Sequence, residues 1–518
     1  MSNGIKILWA DDEIDLLKPQ LFFLEKKGYE VTTVTNGHDA LDVLEEQRDI
    51  DVVFLDESMP GLTGLETLTR IKSKYARMPI VMITKNEAEN LMEEAIGSEI
   101  DDYLIKPVNP NQILLTLKKL IDNKRLVSEK TASDYQQEFR QILMDINSGL
   151  SYEEWVTIYK RIINWELKLD QSDAPAMMDI LSMQKQEANS EFGKFIQKNY
   201  EEWMRTGEGP LMSHNLMKEK VFPNLDKSKP SIFLLLDNLR FDQWKIIEPI
   251  ISEAFRVDSE ECFYSILPTS TQYSRNAIFS GMMPSDIYKH YKDWWIFDHE
   301  KEGKNNHEND LFNKQKARLL KEPIRTDYIK VTSTHKAKQF SDNIHNYLNN
   351  DLTIVVYNFI DMMSHARTEM EVLKELAGDE KAYRSLTRSW FLNSPLWHSL
   401  QKIADKDIQL FVTTDHGTIR VNQPSKVIGD KETTTNLRYK MGRNLKYDSR
   451  DVLAIKDPES VGLPKANLSS SYIFAKQDTY FLYPNNYNYY NNFYRNTFQH
   501  GGISLEEIIC PFVMLSSK

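Results

Sequence analysis

The sequence predicts an α/β protein in three parts: a five-stranded parallel sheet with helices on both faces, a helical-bundle middle domain, and a large C-terminal α/β domain. Three observations carry this. Over residues 3–122, short apolar runs alternate with helix-length amphipathic segments. From Leu126 to Arg205 the apolar residues follow helical spacing instead. After that, continuous apolar runs return and end on acidic residues, as strands buried on both faces do. The expected boundaries are 1–122, 123–225 and 226–518, which suits about 100–200 residues per domain.

Composition narrows the function. Hydrophobic residues make up 41% and aromatics 11%, enough for real cores. The balance of 64 Lys and Arg against 76 Asp and Glu gives a net charge of −12. That leaves no global basic footprint for duplex DNA, although a local groove can still be basic. Two cysteines, Cys262 and Cys510, allow neither a disulfide framework nor a Cys-rich zinc motif. The start, MSNGIKILWADDE, has no basic region followed by a long apolar core, and no run reaches membrane-spanning length. The chain is expected in the cytoplasm, with no membrane insertion.

In the first part, IKILWADDE ends on Asp11 and Asp12, DVVFLDESMPGLTG carries Asp56, PIVMITKN carries Thr84, and DYLIKPV carries Tyr103, Lys106 and Pro107. DLLKPQLFFLEKKG and GHDALDVLEEQ read as intervening helices. In parallel sheets the polar residues at the carboxyl ends of strands gather at one edge. Three crowded carboxylates repel unless a cation joins them, and Mg²⁺ takes oxygen ligands. A carboxylate held against Mg²⁺ can accept a phosphoryl group, with a lysine neutralising the added charge and a threonine hydroxyl bonding the new oxygens. Residues 3–122 resemble a response-regulator receiver domain, a flavodoxin-like fold. The resemblance implies that Asp56 is the phosphoacceptor. It gives Mg²⁺ to Asp11, Asp12, Asp56 and the Ser58 carbonyl, makes Thr84 and Tyr103 switch residues, and places Lys106 before a cis Pro107. Lys85 departs from the family, which has a small residue after the threonine; a bulky side chain there would alter phosphoryl lifetime or partner access.

The middle opens SYEEWVTIYKRIINWELKL with a capping box, Ser151 and Glu154. Trp155, Ile158, Tyr159, Ile162 and Leu169 recur near helical spacing. A further helix starts at Asp173 as N-cap with Pro175 in its first turn. A bundle of about three helices follows, with its Trp and Met residues read as core and no helix-turn-helix signature. Its expected job is relay between the two ends, or a dimer surface. TGEGPLMSHNLMKEKVFPNLDKSKP reads as connection, and His214 in it has no visible partner.

In the last part, SIFLLLDNLRFD carries Asp237, LTIVVYNFIDMMSHAR carries Asp361 and His365, IQLFVTTDHG ends on Asp415 and His416, and FQHGGISLEEIICPF supplies His500. Three Asp and three His suit Zn²⁺ or Mn²⁺ and are too many for one tetrahedral zinc, but fit two metals with open positions. His38, His290, His299, His307, His335, His345 and His398 read as structural. The nucleophile candidates lie in LPTSTQYSRNAIFSGMMP, a Ser/Thr cluster entering a helix.

This set resembles the alkaline phosphatase superfamily over residues 228–518. Nucleotide phosphodiesterases of that superfamily carry the nucleophile in a Pro-Thr-x-Thr run with a Gly and a Pro following, which makes Thr271 the nucleophile. The resemblance assigns one Zn²⁺ to Asp361, His365 and His500, and the other to Asp237, Asp415 and His416, with Gly417 letting the chain turn away. Where many relatives have a phosphate-binding Asn, this chain has Ser274, flanked by Arg275 and Asn276 as substitutes.

A receiver joined to such a domain resembles the PorX class of regulators, whose effector is called a PglZ domain. That resemblance implies a two-component regulator of type IX protein secretion, and sometimes gliding, in Bacteroidetes-type bacteria. It brings a sensor histidine kinase, a homodimer on phosphorylation, and a sigma factor as partners. The segment from Ser285 to Gln339 looks like an insertion forming a wall or lid. TTTNLRYKMGRNLKY offers Arg438, Tyr439, Lys440 and Arg443, and YPNNYNYYNNFYRN offers aromatic faces. Such interleaving suits short single-stranded nucleotides, so a di-zinc phosphodiesterase acting on short or cyclic oligonucleotides is expected. The rival readings are a DNA-binding transcription regulator and a catalytically idle, metal-bound adaptor.

Overall fold

The structure is a computed structural model describing residues 5–75, 78–85, 100–118, 120, 123–172, 175–297, 300, 303–369, 378–430 and 432–518; Asp173 and His299 lie outside these. It divides into two compact units, Met1–Asp134 and Tyr135–Lys518.

The first unit is built on strands β1 (Lys6–Ala10), β2 (Glu30–Val34), β3 (Val52–Asp56), β4 (Ile80–Thr84) and β5 (Asp102–Ile105). All neighbours pair in parallel, in the order β2-β1-β3-β4-β5. Side chains alternate across the sheet, so one run feeds two cores. Trp9, Phe54 and Val81 pack on one face. Leu8, Leu55 and Met82 pack on the other. Helices α1 (Lys18–Lys26), α2 (Gly37–Glu46), α3 (Gly64–Lys74) and α4 (Pro110–Leu117) connect and flank these strands. Local caps start them: Asn36 accepts from the Asp39 N–H, and Thr63 and Glu66 close a capping box.

Three helices follow: α5 (Asn123–Ile146), α6 (Tyr152–Asp170) and α7 (Pro175–Thr206). The Ser151–Glu154 capping box forms at the start of α6. Trp155, Ile158, Tyr159, Ile162 and Leu169 are all buried. This segment does not keep its core to itself. Trp155 meets Phe192 edge-on at 5.3 Å, Phe192 lies 6.2 Å from Tyr264 of the following domain, and the Tyr264 hydroxyl donates to the Tyr152 carbonyl at 2.8 Å. The two share one continuous hydrophobic cluster.

The large domain has a six-stranded sheet of β6 (Ser231–Leu236), β7 (Phe255–Tyr264), β8 (Thr326–Val331), β9 (Leu352–Tyr357), β10 (Gln409–Thr413) and a late strand (Ile509–Ser517), in the order β7–late strand–β10-β6-β9-β8. The four strands β10, β6, β9 and β8 are parallel, as the apolar runs of β10, β6 and β9 predict. The late strand is antiparallel to both its neighbours. The short strands β11 (Ile419–Arg420), β12 (Gln423–Lys426), β13 (Tyr439–Gly442), β14 (Val452–Ile455), β15 (Ser471–Ala475), β16 (Thr479–Leu482) and β17 (Phe498–Gln499) form three small sheets, and the late strand is β18. The helices that matter to the site are α8 (Phe241–Ile251), α9 (Thr271–Ser280), α10 (Glu308–Leu319) and α11 (Phe359–Glu369).

The segment 285–339 is not only an insertion. It supplies α10 and the edge strand β8, which pairs in parallel with β9 over six residues from Thr326↔Leu352 to Val331↔Tyr357. The strand does not stand out in the sequence because TDYIKV is largely half-exposed and polar at Thr326, Asp327 and Lys330, as an edge strand can be.

Candidate functional site

Register brings the acids of the large domain together. Leu235 pairs with Thr413 and Leu236 with Tyr357, so β6, β10 and β9 end level. Asp237 leaves β6, Asp415 follows β10, and Asp361 stands in the first turn of α11 after β9. His365 is one turn further along α11, facing Asp361 with Nε2 at 3.5 Å. His416 follows Asp415 directly, and His500 follows β17. Two ligand groups result, Asp361–His365–His500 and Asp237–Asp415–His416, the donor atoms of each lying within 4.8 Å of one another. The rings of His416 and His500 stack at 4.2 Å, so the groups adjoin.

The imidazoles are set up as ligands. His416 Nδ1 lies 3.0 Å from the Gly417 carbonyl and His500 Nδ1 lies 3.2 Å from the Thr269 carbonyl. A carbonyl can only accept, so each Nδ1 carries the proton and each Nε2 keeps its lone pair. Burial, with His416 and His365 adding to it, holds His500 well below the usual imidazole range, hence neutral. The carboxylates want a cation. Burial, then the neighbouring Asp237, pushes Asp361 and Asp415 up to about 6. Asp415 Oδ2 is buried and has no hydrogen-bond donor among the described residues. Asp and His oxygens and nitrogens with an orphaned buried oxygen fit divalent zinc.

Thr271 opens α9. Its Oγ1 lies 3.1 Å from His416 Nε2 and 3.4 Å from Asp237 Oδ1. Asn305 fixes its backbone by donating to the Thr271 carbonyl at 3.2 Å. Gly417 is required by close approach, not for turning: a Cβ there would stand 2.0 Å from the Glu506 carbonyl.

The side chains expected to contact substrate have partners within the domain. Ser274 is buried, with its hydroxyl 2.8 Å from that of Ser265. Asn276 donates to the Lys304 carbonyl at 3.2 Å and accepts from Asn305 at 3.3 Å. Arg275 is buried behind the site, donating to Asp237 at 2.7 Å and to Glu308. Lys330 completes that cluster at 2.8 Å from Glu308. Arg438 is fully buried and forks onto Glu507 at 3.1 and 2.6 Å. Lys440 donates to the Thr434 carbonyl at 3.0 Å, and Arg443 pairs with Asp430 at 3.0 Å. These basic residues are engaged within the domain, and the buried ones, Arg275, Arg438 and Lys440, must be paired. In YPNNYNYYNNFYRN, helix α12 (Tyr487–Tyr494) stacks Tyr489 on Phe493 and Tyr490 on Tyr494, both at 13°.

Asn238 was not picked out from the sequence. It has φ +66°, its N–H donates to Asp415 at 3.3 Å, and its side chain donates to Asp361 at 3.3 Å. An Asx residue straight after a strand-end Asp is the available signal, since Asn tolerates the left-handed turn.

In the first unit, Asp11, Asp12 and Asp56 place carboxylate oxygens within 4.8 Å of one another. Lys106 reaches Asp11 at 2.9 Å and Asp56 at 2.8 Å, before a cis Pro107. Burial raises the Asp56 carboxyl against the pull of Lys106. Ser58 stands exposed two residues past Asp56. The Thr84 hydroxyl donates to Glu57, Tyr103 is 40% exposed, and Lys85 pairs with Glu13 at 2.8 Å.

A family model described as the BREX system PglZ alkaline phosphatase-like domain matches residues 216–515, more than half the chain. The chain belongs to the PglZ family. A PorX response regulator linker domain matches residues 125–204 and a response regulator receiver domain residues 7–118, so the chain has the PorX-type order of receiver, linker and PglZ domain. Similar solved structures include the chemotaxis protein CheY4 of Vibrio cholerae, 32% identical over 23% of this chain and 99% of that chain, TM-score 0.22. A receiver domain protein from Clostridium thermocellum is 32% identical over 24% and 98%, TM-score 0.23. A CheY-like receiver protein from Methanospirillum hungatei JF-1 is 26% identical over 23% and 95%, TM-score 0.22. The protein is a response regulator with a receiver and a PglZ phosphatase-like effector. No helix among the described residues is long and apolar enough to cross a membrane.

Proposed function

We propose that the PglZ domain is a di-zinc phosphodiesterase with Thr271 as nucleophile, acting on short or cyclic oligonucleotides. The observation that carries this is Thr271 Oγ1 at the start of α9, 3.1 Å from His416 Nε2 and beside Asp237. Asp237, Asp415 and His416 would hold one Zn²⁺, and Asp361, His365 and His500 the other. Such a pair, when bound, acidifies the attacking hydroxyl and stabilises the leaving oxygen. Thr271 Oγ1 attacks phosphorus, forming one P–O bond while the bond to the leaving alcohol breaks. Water then displaces Thr271 and releases the monoester. The start of α9 favours the anionic phosphate, and Asn238 ties Asp361 and Asp415 to one turn.

The substrate class is supported by the wall beside α9. Gln272 donates to the Ile296 carbonyl, and next to it Tyr291, Trp294 and His307 stack at 4.7 and 5.3 Å. Aromatic faces beside a phosphate site suit bases of single-stranded nucleotides. The domain order supports a regulatory reading. A sensor histidine kinase phosphorylates Asp56, Mg²⁺ is held by Asp11, Asp12, Asp56 and the Ser58 carbonyl, and Thr84, Tyr103 and Lys106 pass on the change. A cytoplasmic homodimer then brings the effector domains together and raises activity or exposes a binding surface, in control of type IX secretion and gliding, with a sigma factor as a downstream partner.

The test is hydrolysis of bis-p-nitrophenyl phosphate and of the monoester, with and without Zn²⁺. We expect zinc-dependent diesterase activity that falls roughly 10³-fold or more in Thr271→Ala. Undiminished turnover by Thr271→Ala contradicts the assignment.

A further inference from the structure

We infer that helix α7 is a positioning element of the hydrolytic site: Tyr200 sets the loop that delivers Thr271, and Asn189 sets the loop next to His500. Both residues lie in the segment matched by the PorX linker domain. Tyr200 is buried, and its hydroxyl accepts from the Leu267 N–H at 2.8 Å. Leu267 is buried four residues before Thr271, and the preceding Ile266 N–H is taken by Ser213 Oγ at 3.1 Å. The backbone approaching the nucleophile is therefore held by side chains from outside the sheet that carries the ligands.

Asn189 does the same on the other side. Its side-chain oxygen accepts from the Leu505 N–H at 2.8 Å, and its nitrogen donates to Glu506 at 3.1 Å. Glu506 and Glu507 in turn pack on the turn after His416: the Glu506 carbonyl blocks any side chain at Gly417, and the Gly417 N–H donates to the Glu507 carbonyl at 3.2 Å. Lys185, one turn before Asn189 on α7, lies 3.6 Å from Glu506. α7 buries apolar side chains such as Phe192 and Ile196, but a helix that merely covered apolar surface would present no others. This one aims a phenol and an amide at the two loops whose ends carry Thr271, His500 and His416. Without those acceptors, buried N–H groups would be left unpaired. None of these residues touches the reacting atoms, so each acts through the loop it holds. The helical module is then part of the active site's framework, where a change in α7 becomes a change in the nucleophile's placement.

The kinetic consequence rests on the phosphodiesterase reading; the structural one rests on the geometry alone. The test uses the full chain with Tyr200→Phe, which keeps the ring and removes the acceptor. A misplaced nucleophile lowers kcat about tenfold or more, while KM and bound zinc stay within about twofold of wild type. Amide exchange of residues 265–271 should rise in the same variant. Ile158→Val, a buried change on α6, is the control and should leave kcat unchanged. Wild-type kcat in Tyr200→Phe, or an equal fall in Ile158→Val, overturns the proposal. If Tyr200→Phe does not fold, Asn189→Ser replaces it, read by kcat and by exchange over residues 500–508. If the wild-type chain hydrolyses no diester, the phosphodiesterase reading fails on its own. Exchange then decides the positioning claim, and unchanged exchange at 265–271 overturns it.

Discussion

His214 shows how one buried imidazole couples stability to pH. It lies in the 3-10 turn Ser213–Asn215, with Nδ1 buried and without a hydrogen-bond partner among the described residues. Burial pushes its pKa down to about 4, against a smaller opposing pull from Asp286. The unfolded chain then binds a proton that the folded chain refuses. Stability from this group is therefore complete above about 6.5 and is lost as pH falls towards about 4. His214→Phe should flatten that slope, read as a smaller difference in urea midpoint between about pH 7.5 and about pH 5. An unchanged difference contradicts the reading. At the same scale, Asp237, Asp361, Asp415 and His416 stood out because each lies just past an apolar run, while His365 is one helical turn beyond Asp361 and His500 precedes two glycines. The burial of Arg438 was not legible, because sequence alone does not show Glu507, 69 positions away, closing on it.

Arg275 acts at the scale of elements. Lying on α9, it donates to Asp237 at the end of β6 and to Glu308 in the first turn of α10, so three elements meet on one guanidinium. Its charge is permanent, and its burial is balanced by those two carboxylates. Arg275→Met should weaken zinc binding by about tenfold or more, because Asp237 loses the donor that orients it, and destabilise the fold by about 3 kcal/mol. Competition against a chelator and urea unfolding measure the two. Wild-type zinc affinity in a folded variant would contradict the positioning role. The helical capping box at Ser151 and Glu154 was readable because capping is local. The edge strand β8 was not, since its place depends on the partner β9, and its half-exposed residues carry no strong period. Nor did sequence show that α6 and α7 share a core with the effector sheet, because helical periodicity records that a face is buried and not against what.

At the scale of the whole molecule, two acidic sites of different design sit on one chain. The receiver gathers three carboxylates, two of them paired with Lys106, and the effector gathers three carboxylates and three imidazoles, of which Asp237 and His416 adjoin Thr271. The first suits transient phosphoryl storage with Mg²⁺, the second phosphoryl transfer with zinc. Beryllofluoride with Mg²⁺ should double the mass seen by light scattering and raise diesterase activity, both effects being absent in Asp56→Asn. Unchanged mass and unchanged activity would count against regulation through the receiver.

In the proposed mechanism Thr271 takes the phosphoryl group before water does. The stereochemistry at phosphorus reads this directly. Hydrolysis of a chiral phosphorothioate diester in ¹⁸O-labelled water should proceed with overall retention, since two in-line displacements each invert the centre. Overall inversion would mean that water attacks in a single step, and Thr271 would not be the nucleophile.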